Sequence, residues 1–161
     1  MRVFYALLFA TASMLLSCNS QNKPNDQIDL VSEKMTLLKT DRDFSNMSLK
    51  KGMKAAFIEY IDSNGVLLRA NHLPIAGAHA IDFLISQNDT GYKMNWRPDY
   101  AFVSASADLG YTYGIYAIYP TTIDTVLYGN YVSIWKKQAN GQWKFVLDSG
   151  NEGIDSTEFE Y

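Results

Sequence analysis

The chain has 161 residues, 47% of them hydrophobic and 14% aromatic, a formal net charge of −3 and one cysteine. That apolar share is enough for the core of one domain of ordinary size. Mild acidity without a Lys/Arg block excludes an electrostatic grip on nucleic acid or anionic membrane, and one cysteine excludes an internal disulfide.

Arg2 precedes an apolar run from Val3 to Leu16, which closes as Leu15-Leu16-Ser17-Cys18. A cationic start and an apolar segment too short to span a bilayer describe a secretory signal over residues 1–17. The closing tetrapeptide resembles the lipobox read by bacterial lipoprotein signal peptidase. That resemblance implies lipid on Cys18, a membrane partner reached through that lipid, and residence in the bacterial cell envelope on the periplasmic or outer-surface side. Residues 18–28 are polar, include Lys23-Pro24-Asn25 and have no apolar period, as expected of a tether.

A helical pattern begins at Asp29, with Leu30, Leu37 and Phe44 at heptad spacing. Ser48 is the expected cap of a second helix, whose stripe is Leu49, Met53, Ala56, Phe57, Tyr60 and Ile61, and Ser63-Asn64-Gly65 is its expected end. Val66 to Ala70 reads as a short strand, and Gly77 opens a third helix carrying Ala78, Ile81, Leu84 and Ile85. Everything further on reads as strand: Tyr92 to Arg97, Tyr100 to Ala105, Leu109 to Tyr119, Tyr128 to Lys137 and Gln142 to Ser149. Pro98 is read as a break, and Asn140-Gly141 between two strand-like runs is a strong hairpin signal. Gly110, Gly114 and Gly129 inside strands mark bends or close approaches. Helices followed by a meander make an α+β fold, with the domain at residues 29–150 and an acidic tail at 151–161.

Several segments in order resemble the nuclear transport factor 2-like superfamily, which includes ketosteroid isomerase and the SnoaL-type cyclases. They are Lys51-Gly52-Met53-Lys54-Ala55-Ala56-Phe57, Pro74-Ile75-Ala76-Gly77, Trp96-Arg97-Pro98, Asp108 through Gly114, Gly129-Asn130-Tyr131 with Trp135, and Gly141-Gln142-Trp143-Lys144. The resemblance implies three helices packed in a strongly bent, mainly antiparallel sheet, a cone with a pocket at its open end. It also implies that any catalysis would use a pocket carboxylate helped by Tyr, Trp or protonated Asp donors. In the isomerases the base lies on the strand after the second helix. Here that strand, Val66-Leu67-Leu68-Arg69-Ala70, has no carboxylate.

Among the remaining acids Asp148, near the end of the last strand, is the candidate catalytic group. Asp99 flanks a strand, Asp108 reads as a turn residue, and Glu59 as solvated. The candidate ligand-binding aromatics are Tyr60, Trp96, Tyr113 and Trp135, each with an apolar body and a polar tip. Two histidines, His72 and His79, fall short of a metal site, which needs three or four convergent ligands. Neither a nucleophile elbow nor a phosphate loop is present, and nothing calls for a cofactor. The sequence thus leads to an envelope-anchored cone that binds a small, largely apolar molecule without turnover. The alternatives are a hydrolase, dehydratase or isomerase using the pocket carboxylate, and an interaction module that homodimerises through its outer sheet face. A carboxylate pointing into the cavity beside a donor separates the first two readings.

Overall fold

A computed structural model describes residues 29–154. The expected lipid site Cys18, the signal and tether at 1–28 and residues 155–161 of the expected tail at 151–161 lie outside the described residues, while residues 151–152 of that tail belong to the last strand. Three helices pack against one six-stranded sheet, so the architecture is α+β. Helix α1 spans Leu30–Lys51, α2 Met53–Tyr60 and α3 Ala78–Ser86, and the strands are β1 Ile61–Leu68, β2 Ile75–Ala76, β3 Tyr92–Val103, β4 Leu109–Pro120, β5 Leu127–Lys137 and β6 Trp143–Glu152. The strand order is β2-β1-β6-β5-β4-β3. Every pairing is antiparallel except β1 with β6.

Asp29 caps α1 through hydrogen bonds of 3.1 Å from the amides of Val31 and Ser32. The helix then runs through Ser48 and breaks at Gly52, whose φ of 91° suits a residue without a Cβ. The expected cap at Ser48 is therefore corrected. Its hydroxyl donates instead to the Met94 carbonyl at 2.7 Å, while Ser45 Oγ both donates to the Trp96 carbonyl at 2.7 Å and accepts from the Trp96 amide at 2.8 Å. β3 is the last strand of the sheet, and these serines satisfy backbone groups along its open edge. The α2 start is held from a distance, by Asp89 Oδ2 accepting from the Lys54 amide at 2.9 Å.

The expected helix end at Ser63-Asn64-Gly65 is also corrected. α2 ends at Tyr60 and β1 begins at once with Ile61, and the three residues form an irregularity within β1, where pairing with β6 jumps from Ile61–Phe145 to Val66–Leu147. Pro98 does not divide a strand in two. β3 is continuous, with a register shift between Pro98 and Tyr100 that inserts Asp99 as a bulge. The Asn140-Gly141 hairpin is present, with Gly141 at φ 83° and the Gln138 amide bonded to the Gln142 carbonyl at 2.7 Å.

Strand alternation directs Trp96, Thr112, Tyr116, Tyr131, Ser133, Trp135, Trp143 and Phe145 toward the helices. Phe44 of α1 lies at the centre of this core, with its ring centroid 4.4 Å from Trp96, 4.8 Å from Phe57 and 5.7 Å from Phe145. Packing continues through Leu37, Ala56, Leu67 and Leu84, all wholly or almost wholly buried.

Candidate functional site

A pocket of about 430 Å³ opens between the inner sheet face and helices α1 and α2. Its apolar walls come from Phe44, Phe57, Trp96, Tyr116, Tyr131 and Ile118, joined by the adaptable side chains Met53 and Met94. Its polar end is built from Arg69, just beyond β1, and from Ser133, Asp148, Ser149, Asn151 and Glu152 of the adjoining β5 and β6.

Asp148 faces inward because β6 carries a bulge. Phe145 pairs with Trp135, and the next inward pair is Asp148 with Ser133, so one extra residue is accommodated between them. Without that insertion the alternation would send Leu147 inward and Asp148 out. Both carboxylate oxygens are engaged: Arg69 Nη2 donates to Oδ1 at 2.6 Å, and Ser133 Oγ donates to Oδ2 at 2.8 Å. Arg69 Nη1 donates to the carbonyls of Leu68 at 2.9 Å and Asp148 at 3.1 Å. The guanidinium is thereby fastened to the ends of both parallel strands.

A second carboxylate lies behind the wall. Asp41 of α1 is wholly buried, accepting from Trp96 Nε1 and from the Tyr131 hydroxyl at 2.7 Å each. The nearby Thr112 hydroxyl accepts from Trp135 Nε1 at 2.8 Å. Burial raises the Asp41 carboxyl above its ordinary value, against the opposing pull of these donors. Burial likewise pushes the Tyr131 phenol well up, reinforced by the Asp41 charge, so the phenol stays neutral and donates. The polar tips of two wall aromatics are thus turned onto Asp41, and what they offer the pocket is ring surface.

The sequence-derived candidates separate clearly. Trp96 and Asp148 come together on the pocket wall. Trp135 is wholly buried, with its ring against Phe145 and its N–H on Thr112, and so stands in the core away from the pocket lining. Tyr60 is half-buried and stacks on Phe44 at 4.8 Å, outside the pocket lining. Tyr113 is 46% exposed beside a shallower depression with Asn130 and Val132, pointing opposite to its buried neighbours Thr112 and Gly114. Asp108 is a turn residue, accepting from Ser104 Oγ at 2.8 Å and Ser106 Oγ, and those hydroxyls hold its carboxyl below the ordinary range. Glu59 is exposed. Among the described residues no group of three His, Cys, Asp or Glu converges as a metal site.

Arg69, Ser133, Asp41 and the two methionines escape a reading of sequence alone. Arg69 had one available signal: a lone cation directly after the apolar strand-like run Val66-Leu67-Leu68.

Helices packed on one face of a six-stranded sheet, with an apolar pocket between them and one ion pair inside, define a pocket-bearing α+β fold. Solved structures share that fold. The chain is similar to a ketosteroid isomerase-like protein from Erwinia carotovora atroseptica (14% identity, TM-score 0.60, 74% of this chain and 96% of the other). It is similar also to an NTF2-like protein with a cystatin-like fold from Novosphingobium aromaticivorans (12%, TM-score 0.62, 80% and 87%). A third is a hexachlorocyclohexane dehydrochlorinase from Novosphingobium barchaimii (15%, TM-score 0.54, 74% and 86%). No protein-family model matches the chain, and no curated protein matches it in sequence. The fold is the NTF2-like, cystatin-like one of these solved structures, the fold that the sequence resemblance implies.

Proposed function

We propose that this chain holds a small, largely apolar molecule in its cone pocket without turning it over. One observation carries the reading: the two buried carboxylates at the pocket are already engaged, and the third lining carboxylate, Glu152, is solvent-exposed. Asp148 has Arg69 on one oxygen and Ser133 on the other, while Asp41 is sealed behind Trp96 and Tyr131. A carboxylate with both oxygens engaged must give up a hydrogen bond before it can take a proton from a ligand, and a buried one without access to the cavity transfers nothing to it. What remains toward the ligand is mainly aromatic and thioether surface, with the Arg69 guanidinium at one end, of the right extent for a small molecule. In this reading the lipid expected on Cys18 anchors the domain in the envelope, supported by the apolar leader and Leu-Leu-Ser-Cys.

Native mass spectrometry of the chain purified from its own host tests the reading, with a retained small molecule as the expected result. Finding no retained mass, and no binder in a broad thermal-shift screen, would sink it. A bound compound that is chemically converted on incubation would transfer the case to the hydrolase, dehydratase or isomerase alternative, with Asp148 as its acid or base. Intact-mass analysis of the Cys18→Ser variant checks the anchor, since acyl mass should vanish.

A specific observation also favours self-association. On the outer sheet face Tyr100, Phe102, Leu109, Tyr111, Tyr113 and Val132 are all exposed, with Phe102 stacked on Tyr111 at 5.4 Å and Tyr100 beside Tyr113 at 6.0 Å. A contiguous aromatic face of this kind is unusual on a free surface and suits a second copy of the chain.

A further inference from the structure

We propose that the ligand of the pocket is an apolar carboxylic acid, and that its carboxylate is received by Arg69. This deepens the binding reading above and rests on it. A guanidinium offers five N–H donors on two edges. The outer edge, formed by both terminal nitrogens, is spent: Nη1 serves the carbonyls of Leu68 and Asp148, and one Nη2 hydrogen serves Asp148 Oδ1. The side edge, Nε–H with the second Nη2–H, has no partner among the described residues. Those two parallel donors match the two oxygens of one carboxylate, the geometry in which arginine binds such groups most strongly.

Position and rigidity support the assignment. Arg69 lines the pocket, only about a quarter of its side chain is exposed, and its carbon Cζ lies 5.7 Å from the centroid of Phe57, another wall residue. Three hydrogen bonds and the Phe57 ring fix the fork in place, so little side-chain freedom is lost when a ligand arrives. Asp148 balances the guanidinium charge and Glu152 also lines the pocket, so a ligand carboxylate is held by the directed N–H pair rather than by net charge. The neighbouring hydroxyls of Ser133 and Ser149 extend the polar end, and the opposite walls are rings and methionines, which accept a hydrocarbon body. A neutral alcohol would leave one donor of the fork unpaired in a half-buried site, which costs affinity.

Matched ligands test this on the unaltered chain. Phenylbutyl, naphthyl and decyl frameworks are each offered as carboxylate, primary amide and alcohol, and dissociation constants are measured by titration calorimetry at neutral pH. At least one acid should bind about tenfold or more tighter than its own amide and alcohol. The advantage should disappear in Arg69→Gln and return in part in Arg69→Lys, which restores charge without the fork. Acids binding no better than their amides would overturn the carboxylate assignment while leaving the pocket reading standing. Failure of every framework in every form would overturn both. Because the decisive comparison is between ligands on the natural chain, it holds even if Arg69→Gln does not fold.

Discussion

Asp41 concentrates more of the site's physics than any other residue. It fastens the indole of Trp96 and the phenol of Tyr131, two neighbouring wall elements from different strands, to helix α1. Its removal would leave those buried donors unpaired and open a small void, so Asp41→Ala should cost about 2–5 kcal/mol in urea unfolding. Asp41→Asn should be far milder, since Oδ1 can still accept from Trp96 while the amide donates to a turned Tyr131 hydroxyl. The two forms also differ with pH. Because burial raises the folded carboxyl above its unfolded value, the native state holds this proton more tightly than the unfolded chain does. Its contribution is therefore most favourable at low pH and declines as pH rises from about 4 through the raised value. Unfolding free energies from acid to neutral pH should show Asp41→Asn gaining on the natural chain as pH rises. A difference that ran the other way would mean that Asp41 is stabilised as the anion. Asp108 has the opposite sign, its lowered carboxyl favouring the fold at higher pH and losing that as pH falls through the lowered value.

At the scale of elements, irregularities in the strands decide the site. Gly114 lies where β4 passes the Pro98 bulge, and a Cβ there would sit 2.0 Å from the Arg97 carbonyl oxygen. The obstacle is backbone and cannot swing aside, so Gly114→Ala should force the strands apart and cost about 3 kcal/mol, read as a lowered urea midpoint with pocket binding weakened through Trp96. An unchanged midpoint would show that the β3–β4 pair is pliable there. These bends also mark the limit of what the sequence discloses. Alternating aromatic and β-branched residues reveal β3 to β6, the hairpin at Asn140-Gly141 announces itself, and in-strand glycines point to close approaches. The Val146 bulge has no comparable mark, since Val146-Leu147 is ordinary strand sequence, yet it turns Asp148 inward. Ser48 reads locally as a cap because its long-range partner, the Met94 carbonyl, is invisible to local chemistry. Trp135, Tyr60 and Tyr113 have the residue type of a cavity wall, but burial depth and facing depend on curvature that only the folded sheet supplies.

Across the whole molecule one sheet presents two apolar surfaces, and they differ in what they can receive. The inner surface is concave, encloses about 430 Å³ and keeps an ion pair at one end. The outer one carries paired rings, Phe102 on Tyr111 and Tyr100 by Tyr113, beside a smaller depression of about 300 Å³. A concavity with a directed polar group selects a small molecule, while an open aromatic face selects another broad surface. The strands separate these tasks by strict alternation, since Thr112 and Gly114 point inward where Tyr111 and Tyr113 point out. Substitutions on one face should therefore leave the other nearly untouched. Phe102→Lys combined with Tyr111→Lys places like charges at directly paired positions and removes the apolar stack. In sedimentation velocity across a hundredfold range of concentration, the natural chain should associate and the double variant should remain monomeric. Affinity for the preferred acid should change by no more than about twofold, as expected for surface changes distant from the pocket. If charge on the outer face abolished ligand binding as well, the pocket would depend on a second copy of the chain and the two surfaces would form one functional unit.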